Sequence, residues 1–155
     1  MREYQVALFF HLLGALLFFG GIMVAGIASE AARRRTSPGD VAVLLGIARV
    51  GVLPVAVGGV LLPVFGLWLV HLGHWGYGSA WVDWALGLYV LAMALGGIGG
   101  RRPKRARLLA ASLAARGEPV TAELSALLDD VVTRAINYLS LVAVLAILAL
   151  MVFKP

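Results

Sequence analysis

The chain has 155 residues, of which 61% are hydrophobic and 14% charged, and it contains no cysteine. A soluble domain carries about 45–50% apolar and about 25% charged residues, and a chain this short cannot bury so large an apolar excess in one small core. The composition therefore excludes an ordinary soluble enzyme, a disordered chain and a secreted disulfide scaffold. It predicts an integral membrane protein with a single domain over residues 1–155.

Four apolar stretches are long enough to cross a membrane, because about 20 apolar residues in a helix span about 30 Å of hydrocarbon. In chain order, we predict spans at residues 4–28, 41–72, 81–100 and 135–153. Pro54 and Pro63 lie within the second span, and each proline removes a backbone donor, so we expect this helix to be kinked. The predicted fold class is an all-α bundle of four transmembrane helices.

The distribution of lysine and arginine predicts the orientation. Arg33, Arg34 and Arg35 separate the first two spans, seven cations separate the last two, and residues 73–80 contain none. Cytoplasmic loops retain lysine and arginine, so we predict that both termini face outward from a bacterial inner membrane. Residues 101–134 then form a cytoplasmic helical segment, whose second helical pattern is expected to run directly into the fourth span. The net charge of +5 favours contact with anionic lipid over nucleic acid.

Small residues recur within two of the spans and allow helices to approach closely. They predict either a tightly packed bundle or contact with other subunits, in a homo-oligomer or a larger membrane complex, and the sequence leaves both open. These residues are Gly14, Gly21 and Ala25 in the first span and Gly96 and Gly100 in the third.

His11 is the first candidate for a binding site. It shares one helical stripe with Gly14, Phe18, Gly21 and Ala25, so we expect it to point into the bundle. A buried imidazole needs a polar partner. That partner is either a carbonyl, serine or water, or a metal ion, of which haem iron is the foremost candidate.

His71 and His74 are predicted to lie on the same outer side as His11, and they share a face if the helix continues through Gly73. Asp83 begins the third span on that side. Its carboxylate either orients a histidine ligand or simply favours the helix N-terminus through the dipole. A zinc or copper site built from His11, His71, His74 and Asp83 requires three helices to converge.

Arg49 is an intramembrane charge near the predicted inner boundary. It either extends its head group to the cytoplasmic surface or pairs with Asp129 or Asp130, and Asp130 is also four residues from Arg134, a spacing at which they can pair. The sequence contains no phosphate-binding loop, nucleophile elbow or His-Glu-x-x-His motif, so it does not identify an enzyme.

The segment Phe10-His11-Leu12-Leu13-Gly14-Ala15, followed by Phe19-Gly20-Gly21, resembles the first helix of several bacterial membrane families. In length, span count and closing segment, residues 151–155, the chain is similar to a family of predicted integral membrane proteins of unknown function. It resembles more distantly the copper-resistance D-type family and the haem-dependent protoporphyrinogen oxidase J-type family. The resemblance to the oxidase family implies that His11 is a haem ligand, and that to the copper-resistance family implies a metal-linked function.

We therefore expect a small membrane protein that holds haem b through His11, together with His71 or His74, for electron transfer or another redox role. Two alternatives stay open. The first is a cofactor-free accessory or structural subunit of a membrane complex. The second is a small transporter in which the kinked second span moves.

Overall fold

The computed structural model describes residues 2–75, 77–99 and 101–153, and these residues contain helices and no strands. Four helical stretches are long and apolar enough to cross a membrane, which confirms the predicted all-α class with four spans. In chain order the helices are α1 (Arg2–Arg33), α2 (Pro38–Leu72), α3 (Ala80–Gly99), α4 (Arg101–Arg116), α5 (Ala122–Leu128) and α6 (Val131–Phe153).

Helices α1 and α2 form an antiparallel hairpin whose backbones touch at paired glycines. A Cβ atom on Gly58 would lie 2.5 Å from the carbonyl oxygen of Gly14, and one on Gly21 would lie 2.5 Å from the carbonyl oxygen of Gly51. These four residues form what we call the glycine seam. On each helix the two glycines are seven residues apart, which is the repeat of a left-handed helix pair. The small residues of the first span therefore pack within the chain.

The hairpin is longer than the membrane is thick. Helices α1 and α2 have 32 and 35 residues, which at about 1.5 Å per residue gives about 50 Å. Helices α3 and α6 have 20 and 23 residues, which matches a hydrocarbon core of about 30 Å. Helices α1 and α2 are thus longer than one crossing requires.

What we call the basic end is formed by the α1–α2 connection, α4 and α5. Here Ala32, Val41 and Leu45 of the hairpin share a hydrophobic cluster with α4 and α5. The apolar face of α4 is therefore buried against protein. The residues that α4 and α5 contribute to the cluster are Ala106, Ala110, Leu113 and Leu124. The opposite end, with the α2–α3 connection, is the histidine end.

Helix α6 begins with a cap of its own. Asp130 accepts hydrogen bonds from the backbone N–H of Thr133 at 2.8 Å and from its hydroxyl at 2.6 Å. The expected continuous helix into the fourth span is thus wrong, because α5 ends at Leu128 and the capped α6 starts at Val131. An aspartate before the first turn satisfies N–H groups that a continuous helix would bond to carbonyls.

The α3–α6 pair is packed less tightly than the hairpin. Ala143 is the one α6 residue that is buried within the described part of the chain. Gly96 has open space beside its Cα atom, so it does not contribute to packing within the chain, and Gly100 lies outside the described residues. The smaller number of close contacts leaves most of the α6 surface to lipid or to partners.

Candidate functional site

The side chain of His11 lies in the contact between α1 and α2, as its stripe predicts. Its Nδ1 atom donates a hydrogen bond to the carbonyl oxygen of Leu62 at 3.0 Å. Its Cε1 atom would lie 3.0 Å from a Cβ atom on Gly66. The missing side chain at Gly66 therefore makes room for the imidazole, and the Leu62 carbonyl fixes its orientation.

This hydrogen bond also determines which ring nitrogen is free. A carbonyl only accepts, so the Nδ1 atom of His11 carries the proton and the Nε2 atom carries the lone pair. Metal-binding histidines commonly have this arrangement, in which the second nitrogen donates to a carbonyl or carboxylate. The structure assigns no hydrogen-bond partner to Nε2 among the residues that it describes.

Aromatic side chains surround this level of the hairpin. The ring of Phe10 stacks on that of Phe65 with centroids 4.8 Å apart, and Trp68 lies 5.9 Å from Phe65. Phe10 precedes His11 in α1, and Phe65 precedes Gly66 in α2. An aromatic cluster thus lies at the level of His11 on the hairpin.

His71 faces away from His11. It lies five residues beyond Gly66, which turns its direction by about 140° around α2. Its exposed ring stacks on Tyr77 at 6.4 Å between centroids. His71 therefore does not share the α1–α2 contact in which His11 lies.

His74 is held by the end of α2 rather than by a helical face. The helix ends at Leu72, and His74 adopts a left-handed φ of 56°. The backbone N–H of Trp75 bonds to the Val70 carbonyl and that of His74 to the His71 carbonyl, which closes the helix as in a Schellman motif. The Nδ1 atom of His74 also donates to the His71 carbonyl at 3.2 Å. The condition under which His71 and His74 would share a face is therefore not met.

Asp83 lies exposed in the first turn of α3, which agrees with the helix-dipole explanation of this residue. The described part of the chain contains no group of three or more histidine, aspartate or glutamate side chains placed to hold a metal ion. The structure therefore does not bring His11, His71, His74 and Asp83 together as one ligand set.

The acidic residues between α5 and α6 pair with cations other than Arg49. Asp129 lies 3.6 Å from Arg33 and 3.9 Å from Arg134. Asp130 pairs with Arg102, and the expected Asp130–Arg134 pair is absent, because the cap directs the Asp130 carboxylate toward Thr133. Arg49 is exposed and forms no ion pair with any residue that the structure describes.

The cap also changes the acidity of Asp130. The hydrogen bond from the Thr133 hydroxyl lowers the pKa of the Asp130 carboxyl, and the Thr133 backbone N–H and the nearby Arg102 charge lower it further. All three favour the ionised carboxylate. Asp130 thus stays charged at the junction of α5 and α6.

Sequence reasoning missed one residue that joins the two helix pairs. The Tyr89 hydroxyl of α3 donates a hydrogen bond to the Gly59 carbonyl of α2. Pro63 lacks the N–H that would otherwise bond to this carbonyl four residues earlier. The spacing of Gly59 and Pro63 identifies the unsatisfied acceptor, but the sequence does not show that Tyr89 is the donor.

Comparison with known proteins places the chain in a family context. A family model described as "Predicted integral membrane protein (DUF2269)" matches residues 5–155. No curated protein and no solved structure matches the chain. The resemblance to a family of predicted integral membrane proteins is thereby confirmed, and the two more distant resemblances stay predictions.

Proposed function

The chain belongs to the family of predicted integral membrane proteins DUF2269, and we propose that it holds haem b through the Nε2 atom of His11. The proposed role is electron transfer or a related redox step within the membrane. The supporting observation is the hydrogen bond from Nδ1 to the Leu62 carbonyl, which leaves the lone pair of Nε2 available for iron.

In this proposal the His11 imidazole, anchored in the apolar contact between α1 and α2, would hold the iron. The Leu62 carbonyl holds the ring in one tautomer, and Phe10 and Phe65 stack on each other at the same level of the hairpin. His71 and His74 lie elsewhere, so the proposal assigns a single protein ligand. Bound haem iron supplies one-electron chemistry whose potential depends on the axial ligand and on burial.

An absorbance spectrum tests the proposal. We expect the protein purified from haem-supplemented cells to show a Soret band that His11→Ala abolishes. The matched variants His71→Ala and His74→Ala should keep the band, because both residues lie outside the α1–α2 contact. A haem-free wild-type protein after supplementation, or an unchanged band in His11→Ala, would contradict the proposal. Circular dichroism should show equal helix content in the three variants.

For the orientation, we propose that the basic end faces the cytoplasm of a bacterial inner membrane and that both termini lie outside. The asymmetry of lysine and arginine between the connections supports this. Because the chain has no cysteine, single cysteines can report it. A membrane-impermeant thiol reagent should label Gly78→Cys in intact cells and Ala115→Cys only after permeabilisation. The reverse pattern would contradict the orientation.

A second candidate function is that of a cofactor-free accessory subunit of a membrane complex. The supporting observation is an apolar groove between α3 and α6. A photoreactive side chain at Ala149 should then form adducts with a partner in membranes, whereas one at exposed Val60 of the hairpin should not. The groove is lined by Trp84, Leu88, Ala146, Ala149, Leu150 and Phe153.

A further inference from the structure

We infer that the basic end carries a binding site for the headgroup of an anionic phospholipid, formed by Arg49 of α2 and the cations in the first two turns of α4. The inference is independent of haem binding and of the orientation. The cations in these turns with described side chains are Lys104, Arg105 and Arg107, together with Arg102, which also pairs with Asp130.

The first step of the argument is the depth of these residues. Helix α3 has 20 residues and spans about 30 Å, so the hydrocarbon ends close to the residue where α4 begins. Residues 101–107 then rise by about 10 Å beyond that boundary. This is the zone in which lipid phosphates lie.

Arg49 reaches the same depth from the neighbouring helix. Leu45 packs in one cluster with Ala106 of α4. Arg49 lies one turn beyond Leu45 on the same face of α2, and Arg102 lies one turn before Ala106 on α4. Helix α2 runs into the membrane here, whereas α4 runs out of it. The step forward from Leu45 to Arg49 and the step back from Ala106 to Arg102 therefore both lead toward the hydrocarbon boundary. Cations from two helices are thus placed at one level.

Most carboxylates at this end are committed elsewhere. Glu30 pairs with Arg33 and Arg34, Glu118 pairs with Arg116, and Asp129 and Asp130 pair with the cations described above. The remaining cations at the boundary have no ion pair among the described residues, and these are Arg49, Lys104, Arg105 and Arg107.

A cation at the edge of the hydrocarbon needs a counter-ion, and a lipid phosphate at that depth supplies one. Arginine suits this ligand because its planar guanidinium can bond two phosphate oxygens together. Helix α4 is also held in place, because Ala106 and Ala110 are 1% and 0% exposed. A fixed helix keeps its cations at a constant depth and spacing, whereas a loose basic loop does not.

The test uses the full chain in a neutral detergent. Phosphatidylglycerol or phosphatidylcholine is titrated in, and the thermal unfolding midpoint reports binding. We expect phosphatidylglycerol to raise the midpoint and phosphatidylcholine to have no comparable effect. Arg49→Gln should weaken phosphatidylglycerol binding about fivefold, which corresponds to about 1 kcal/mol for one cation near the surface.

Arg35→Gln is the matched control. Arg35 is also an exposed cation without an ion pair among the described residues, but it lies before the start of α2, about 16 Å or more from the level of Arg49. Its substitution should leave binding unchanged. Equal weakening in the two variants would show a general effect of charge and overturn the site.

Two further arms complete the test. Inorganic phosphate and glycerol phosphate should not reproduce the shift at equal concentration, and if they do, the site binds free phosphate and the lipid assignment is overturned. If Arg49→Gln fails to fold, Arg105→Gln provides the same test from α4. An unchanged affinity in that variant would then overturn the inference.

Discussion

The α1–α2 hairpin and the α3–α6 pair bring two helices together in lipid in different ways. In the hairpin, the glycine seam places backbone against backbone at Gly14–Gly58 and Gly21–Gly51. Helix α3 also contains several glycines, but most of them face open space. The number of glycines therefore does not determine how tightly two helices pack. The alignment of glycines at the same spacing on both partners does.

The physical reason lies in the solvent. Lipid chains are as apolar as leucine, so helices in a bilayer associate through close packing and polar contacts rather than through the hydrophobic effect. The seam permits close packing along most of the hairpin. Among the described residues, the hydrogen bond from Tyr89 to Gly59 and the Phe18–Tyr89 ring contact at 6.4 Å link the α3–α6 pair to the hairpin.

The largest expected effect comes from closing the glycine seam. Gly58→Ala should lower the free energy of unfolding by about 1–3 kcal/mol, because the new methyl group meets backbone atoms at about 2.5 Å and the helices must separate. Gly87→Ala in α3 is the matched control, since nothing lies within 4 Å of its Cβ position. It should be neutral or stabilising by up to about 1 kcal/mol. Denaturation in detergent micelles measures both, and equal losses would contradict the comparison.

Helices and their faces could be predicted from the sequence where a long periodic pattern determines them. The stripe from His11 to Ala25 correctly predicted which side of α1 meets α2, because Gly14, Phe18 and Gly21 are buried. The same pattern could not predict the partner of each glycine, since that depends on how far one helix slides along the other. Gly96 shows the limit of this prediction. The sequence identifies it as a small residue but does not show whether its face of α3 is packed or open, and the structure leaves it open.

The candidate site was harder to predict for a related reason. Whether His71 faces His11 depends on the rotation of α2 about its axis, and whether His74 joins His71 depends on where the helix ends. Neither quantity follows from the spacing of the histidines. The break before α6 had a visible signal, since Asp130 and Thr133 have the spacing of a helix cap. The hydrophobic pattern continues across that break and by itself does not show it.

The link between the two helix pairs is the next target. Tyr89→Phe should lower the free energy of unfolding by about 1 kcal/mol, because it leaves the Gly59 carbonyl without a donor. Pro63→Ala restores a backbone N–H for that carbonyl. In a Pro63→Ala background, Tyr89→Phe should therefore have a clearly smaller effect. Equal effects in both backgrounds would contradict the idea that the Tyr89 hydroxyl replaces the hydrogen bond that Pro63 cannot donate. Tyr138→Phe, at an exposed position, serves as the control for loss of a hydroxyl.

At the histidine end, a substitution of His74 is expected to raise the stability, by less than the preceding substitutions lower it. His74 has a left-handed backbone that is unfavourable for residues with a side chain. His74→Gly should be more stable than His74→Ala by up to about 1 kcal/mol, since both lose the imidazole and only glycine relieves the backbone. Thermal unfolding in detergent compares the two. If they are equally stable, the conformation of residue 74 is not a source of strain.

The start of α6 gives the most limited expected effect, and it depends on pH. The Thr133 hydroxyl and backbone hydrogen bonds and the Arg102 charge lower the pKa of the Asp130 carboxyl in the folded protein below its unfolded value of about 3.9. The folded state therefore binds this proton less readily than the unfolded state. The stabilisation is fully present above about pH 5 and is lost as the pH falls through the folded pKa.

Asp130→Asn tests this, because asparagine still caps the helix but has no charge. Its unfolding midpoint should be lower than that of the wild type near pH 7 and should approach it on acidification toward pH 3. Asp40→Asn, which removes an aspartate outside any ion pair of the described residues, should leave the pH dependence of the wild type intact. Equal unfolding midpoints of Asp130→Asn and the wild type at all pH values would mean that the charge of Asp130 does not stabilise α6. In that case the cap at the start of α6 would stabilise the α3–α6 pair through its hydrogen bonds and not through its charge.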